Sequence, residues 1–246
     1  MDIRELAAWC DELLDAEAFE DYCPNGLQVH AGEKATSLVS GVTASQELID
    51  TAIEVGADVL LVHHGYFWKG EPAPLTGPKG RRIRALMRHG INLLAYHLPL
   101  DAHPDLGNNV GFGRALGLAG EPLGKGSLLW GAALEEELLP ASLVLRITEQ
   151  LGREPLMLGP DRPLRRIAWC TGAAQSGIVE AAARGFDAYV SGEVSEQTYH
   201  LARELDITYL AAGHHATERF GVQALGRRIA ETFDLDWLYV DLPNPV

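Results

Sequence analysis

The apolar positions of this chain follow two rhythms, one of period near 3.6 and one of short unbroken runs. Ile3, Leu6, Ala7, Trp9, Leu13 and Leu14 recur at helical spacing, which predicts an amphipathic helix over 3–14 with Asp2 as its N-cap. After the turn-rich Cys23-Pro24-Asn25-Gly26 the pattern alternates. Ser37–Thr43 reads as a strand, and Ser45 opens a helix to about Val55 that Gly56 closes. Val59-Leu60-Leu61-Val62 is the short, β-branched-rich run of a strand buried on both faces. An arginine-bearing helix near 80–89 leads to a strand over 91–96. This order predicts the α/β class, with parallel strands joined by helices.

The pattern loosens over about 123–163, where glycines and prolines such as Gly124, Gly131, Pro140, Gly152, Pro155 and Pro163 punctuate the chain around one helix near 141–151. From Arg165 the alternation resumes and echoes the first stretch. Val42-Thr43-Ala44-Ser45-Gln46 has a counterpart in Thr171-Gly172-Ala173-Ala174-Gln175, and Gly56-Ala57-Asp58 in Gly185-Phe186-Asp187. The expected organisation is a first α/β half over 1–122, an irregular connecting segment over 123–163 and a second α/β half over 164–246. If the echo is a duplication, the halves are pseudo-symmetric with a site between them.

Ligand-type residues collect where strands end, the place α/β sheets put their binding sites. His63-His64 closes the run at 59–62, and His97 and Asp101 follow the strand at 91–96. In the second stretch Glu193 takes the place of the His pair, and His214…Glu218 echoes His97…Asp101. His214 and Glu218 are four apart near the start of a last long helix (about 216–233), so a helix that includes His214 puts both on one face. His215 is the neighbouring alternative, and only the i, i+4 spacing argues for His214. Three imidazoles and two carboxylates exceed the needs of one open catalytic ion and suit two, sharing a hydroxide for hydrolysis. Each fragment alone also fits ordinary hydrogen bonding, and His97 is either a ligand or a group that orients Asp101. Glu193 and His200 are the candidate acid/base groups. The competing reading makes Glu193 a helix cap and His200 a packed residue. Tyr66-Phe67-Trp68-Lys69 reads either as a pocket wall or as a buried subunit contact.

Composition narrows the partners. Thirty-four acids against 20 Lys+Arg give a formal net charge of -14, which disfavours a surface that tracks nucleic acid, although Arg81, Arg82, Arg84 and Arg88 cluster. Cys10, Cys23 and Cys170 form neither a disulfide framework nor a zinc knuckle, so a reducing, cytoplasmic setting is expected. No apolar run is long enough to cross a membrane, and no signal peptide is expected.

Five strings carry a resemblance: Asp21-Tyr22-Cys23-Pro24-Asn25-Gly26-Leu27-Gln28-Val29, His63-His64-Gly65-Tyr66-Phe67-Trp68-Lys69-Gly70, His97-Leu98-Pro99-Leu100-Asp101-Ala102-His103-Pro104, Ser191-Gly192-Glu193 and Gly213-His214-His215-Ala216-Thr217-Glu218. Together they resemble the NIF-three family of GTP cyclohydrolase I type 2 homologues, closest to its short, YbgI-like bacterial branch, over essentially the whole chain. The resemblance implies a NIF-three-like α/β fold and a dinuclear centre of two divalent ions (iron, zinc, manganese, cobalt or nickel) on His63, His64, Asp101, His214 and Glu218, with Glu218 bridging. It implies a metal-dependent hydrolase of an unidentified small molecule, a nucleotide or cyclic amide among the candidates, and a toroidal homohexamer. The alternative is a non-catalytic metal-binding scaffold. His215 departs from the aromatic residue common in relatives.

Overall fold

The computed structural model describes residues 1–246. In chain order the strands are β1 Gly26–Val29, β2 Ser37–Thr43, β3 Val59–His64, β4 Asn92–Ala95, β5 Glu121–Pro122, β6 Trp130–Leu138, β7 Leu156–Leu158, β8 Leu164–Cys170, β9 Ala188–Ser191, β10 Thr208–Ala211 and β11 Asp236–Tyr239. The helices are α1 Ile3–Leu13, α2 Gln46–Glu54, α3 Gly77–His89, α4 Leu98–Ala102, α5 Asn108–Ala115, α6 Pro140–Leu151, α7 Ile178–Ala183, α8 Glu196–Glu204, α9 His214–Thr217 and α10 Arg219–Phe233. None is long and apolar enough to cross a membrane.

The chain divides into two compact units, one of Met1–Leu100 with Gly221–Pro243 and one of Asp101–Phe220 with Asn244–Val246. The first unit holds a sheet of order β1-β4-β3-β2-β11. Its β11, β2, β3 and β4 are parallel and β1 is antiparallel at the β4 edge. β3 sits in the middle, and Val59, Leu60, Leu61 and Val62 are all fully buried, which is why that segment is continuously apolar rather than alternating. Ser45 accepts from the Leu48 N–H and starts α2 where the serine predicted it.

The second unit holds a sheet of order β5-β6-β8-β9-β10-β7. Here β8, β9 and β10 are parallel, with β6 and β7 antiparallel at either side. Its strands are covered on both faces. Ile167, Trp169, Val190 and Leu210 enter one cluster, while Ala168, Cys170, Tyr189 and Tyr209 enter another. That is the period-two division of side chains between the faces of a sheet.

Both units thus contain a β-α-β-α-β core of parallel strands with an antiparallel strand beside the third, matching the internal echo. The expected boundaries differ. Residues 123–163 are not a connecting layer, because β6 pairs with β8 and β7 with β10, building that stretch into the second sheet. The tail does not stay with the second half either. β11 pairs with β2, register Leu238↔Val39, so the C-terminal helix and strand belong to the first unit. The chain passes between units at Leu100/Asp101, inside α4, at Phe220/Gly221, inside α10, and again at Pro243/Asn244.

Candidate metal centre

In the first unit the donors come from two neighbouring strand ends. β3 ends at His63-His64, with β2 on one side and β4 on the other. Each flank ties down one ring. The carbonyl of Tyr96, just past β4, lies 2.8 Å from His63 Nδ1, and Thr43 Oγ1, at the end of β2, lies 3.1 Å from His64 Nδ1. His97 Nδ1 is 2.7 Å from Asp21 Oδ1. All three Nδ1 atoms are directed to oxygen, and one ligand atom from each ring lies within 4.8 Å of the other two. For His63 and His64, an oxygen behind one ring nitrogen is the support that metal-binding imidazoles have. His63 is fully buried.

A second trio, Asp21, Cys23 and His97, is equally close but chemically different. Burial, and then the Asp21 charge, push the Cys23 thiol up to about 12. Burial would raise the Asp21 carboxyl. Its bonds from His97 and Asn25 and from the Leu98 N–H override that and hold it at about 2.

The second unit supplies the carboxylates. Asp101, in α4, and Glu218, the residue after α9, are both buried and present oxygens within 4.8 Å of each other. Asp101 Oδ1 accepts from Asn108 Nδ2 at 2.8 Å, and Asn109 Nδ2 donates to the Asp101 carbonyl at 3.2 Å. Asn109 Oδ1 in turn accepts from the Thr171 N–H, which fixes α5 to the end of β8. His214 Nε2 lies 3.0 Å from Glu218 Oε2, the i, i+4 contact anticipated, and His214 Nδ1 lies 2.7 Å from Glu193 Oε1. Burial alone would depress His214. The two carboxylates outweigh it and raise the ring to about 9. In an imidazolium held between two carboxylates, the Nε2 proton is what a divalent cation would displace, since the cation offers charge compensation at the same atom.

Gly172 shapes the carboxylate's seat. Its φ is +70°, and a Cβ there would come within 2.0 Å of Glu218 Oε1 and 3.4 Å of His214 Nε2. The Gly172 N–H is held by Thr217 Oγ1 at 3.0 Å. The cradle therefore needs the residue without a side chain.

The acid/base candidates separate. Glu193 stands behind His214 as its orienting carboxylate, and it is not the cap of the next helix, because Ser195 and Thr198 form that capping box. His200 is on α8, more than half exposed, paired with Glu196 at 3.0 Å. It faces solvent and joins none of the donor groups. The aromatic string also divides. Tyr66 is buried, its hydroxyl donating to the Ala44 carbonyl, whereas Trp68 lies 5.0 Å from His97 and 5.9 Å from His64, ring to ring. Asn108 and Asn109 start α5, and their side chains also hold Asp101. A polar pair at a helix start within ten residues of a candidate ligand was the only signal for that. Asp21, Asn25, Thr171 and Gly172 gave none beyond the motifs they sit in.

Two mixed sheets, each presenting imidazole or carboxylate donors past the ends of parallel strands, define a two-unit α/β protein with a His/Asp/Glu cluster able to bind metal. The chain matches the Duf34/NIF3 (NGG1p interacting factor 3) family over residues 1–245 and belongs to it. It is 54% identical to a Pseudomonas aeruginosa protein named GTP cyclohydrolase 1 type 2 homolog, over 99% of this chain and 98% of that one. Among solved structures it is similar to the protein ybgI, with TM-score 0.96 and 46% identity, and to TTHA1606 from Thermus thermophilus, with TM-score 0.90 and 33% identity. Each match covers 100% of both chains.

Proposed function

We propose that His63, His64, Asp101, His214 and Glu218 act together on two divalent ions, with Glu218 shared, and that the protein is a metal-dependent hydrolase of a small molecule. The observation that carries this reading is the matched incompleteness of the two donor sets. The first unit offers tethered imidazoles without a carboxylate of its own to spare, and the second offers buried carboxylates with one imidazole. Both carboxylates also sit close in sequence to a point where the chain changes unit, Asp101 as the first residue past the first crossing and Glu218 just before the second. Nitrogen and oxygen donors mixed in this way suit iron, zinc, manganese, cobalt or nickel.

Bound there, the ions would lower the pKa of a water and offset negative charge developing on the substrate. The chain's own residues do the rest. Tyr96, Thr43, Glu193 and Asn108 fix the directions of His63, His64, His214 and Asp101, and Trp68 with Tyr22 edges the imidazoles. The name carried by the relatives brings GTP into the set of substrates to try, alongside phosphoesters and cyclic amides. The fold does not select among them.

The test is elemental analysis of protein purified without added metal, followed by that substrate panel with each of the candidate metals. Two ions per chain and a turnover abolished by His64→Ala or Glu218→Ala are expected. Turnover retained in a verified metal-free variant would remove the mechanism. The near-complete burial of His63, Asp101 and Glu218 favours a second reading, ions that serve structure, and a blank panel with a large thermal stabilisation by metal would select it. Three free, buried cysteines support a cytoplasmic setting, and the proposal extends to the self-assembled ring of six that the resemblance implies.

A further inference from the structure

The segment Asp21–Gln28 supplies no donor to the five-residue set, yet it grips both strand ends of the first unit that do. Gln28 clamps the chain past β3, accepting from the Tyr66 N–H at 2.7 Å and donating to the Tyr66 carbonyl at 3.1 Å. The Lys69 N–H donates to the Tyr22 carbonyl at 2.6 Å. Past β4, Asn25 Oδ1 accepts from the His97 N–H at 2.7 Å, and Asp21 takes the ring of the same residue at Nδ1. His97 is thus fixed at backbone and side chain by one short loop.

Building on the hydrolase reading, we propose that His97 is its proton-accepting residue rather than a metal ligand, with Asp21 as the positioning residue. Asp21 is a buried carboxylate already accepting from Asn25 and from the Tyr22 and Leu98 N–H groups. As a fixed acceptor it draws the imidazole proton to Nδ1 and leaves Nε2 as the free base, as in the carboxylate–imidazole pair of a hydrolytic triad. One ligand atom of the ring lies within 4.8 Å of one each from His63 and His64, and with Nδ1 given to Asp21 we take it as Nε2. Counting Glu218 twice, the five-residue set gives each of two ions three protein donors, the number that leaves a position open for chemistry. A sixth ligand would close one of them. Trp68 packs edge-on at 83° and Tyr22 at 62°, holding the ring in place while leaving it one-seventh exposed.

During hydrolysis the attacking water loses a proton to His97 Nε2 as its oxygen bonds the electrophilic atom of the substrate. The bond to the leaving group breaks, and the leaving atom takes that proton, so His97 ends neutral.

The experiment uses the full-length, zinc-loaded protein with nitrogen-labelled histidine. Magnetic resonance should show His97 protonated at Nδ1 and bare at Nε2, a signature lost in Asp21→Asn. His97→Gln should keep both ions by elemental analysis, while hydrolysis of bis(4-nitrophenyl) phosphate falls about 100-fold or more in kcat. Loss of an ion in His97→Gln, a proton on Nε2 in the parent protein, or an unchanged kcat overturns the proposal. A parent protein that binds two ions and hydrolyses nothing defeats the hydrolase reading and the proton step with it. The resonance and metal measurements then still decide whether Asp21 sets the His97 tautomer and whether His97 is a ligand.

Discussion

Gly172 and Asp21 show how much of the site is fixed by residues that are not donors. A Cβ at Gly172 would occupy the seat of the Glu218 carboxylate, at a backbone angle L side chains avoid. Gly172→Ala should therefore cost about 1–3 kcal/mol and displace Glu218. A lower melting temperature together with lowered metal content is the expected result, and an unchanged metal content would show that the carboxylate can move aside. Asp21 predicts an acid response. Its folded pKa, about 2, lies below the ordinary 3.8, so its stabilisation is fully present above pH 3.8 and is lost as pH falls toward 2. Asp21→Asn should remove about 1–2 kcal/mol at neutral pH and flatten the unfolding curve between those limits. His214 gives the opposite sign. Raised to about 9, it holds a proton that a metal must displace. Metal affinity should climb with pH up to about 9 from this group and level above it, and calorimetry in buffers of different ionisation enthalpy should show the proton released. In Glu193→Gln the levelling should move to lower pH.

The elements explain why those residues meet. β3 was legible because a buried central strand must be apolar on both faces, and its polar end stood out against the run. His214 and Glu218 meet at i, i+4 because α9 begins at His214, although the helix is broken at Glu218 before α10 starts. What no period could show is the support behind each ring, since Thr43, Tyr96 and Asp21 reach their histidines from other elements. The loop after β3 is the clearest case. Phe67 has φ of +65°, a costly conformation for an aromatic residue, and the Phe67 and Trp68 N–H groups bond to Glu71 Oε2 at 2.9 and 3.2 Å. Gln28 anchors the start of this loop. Gln28→Ala should cost about 1–3 kcal/mol by stranding the Tyr66 amide, and hydrogen exchange at Tyr66 should accelerate. Slow exchange there in the variant would mean that the Phe67–Glu71 turn alone holds the loop.

At the scale of the whole chain, chelation is the decisive perturbation. If the ions are bound by the folded protein alone, their removal should lower the melting temperature, and the loss should grow with the metal concentration used for comparison, by about 2.7 kcal/mol at one hundred times Kd. Light scattering before and after chelation tests the proposed ring of six in the same samples. The residue pattern by itself determined the α/β class, the repeated strand–helix units and the strand ends at which imidazoles and carboxylates collect, because burial period and strand-end polarity are local properties. It misplaced the boundaries between units. Residues 123–163 looked irregular only because their strand partners, β8 and β10, lie far along the chain, and the return of β11 to β2 spans nearly two hundred residues. Pairing of that kind is set by which sheet edge is open and which apolar face needs cover, and neither exists until the chain has folded.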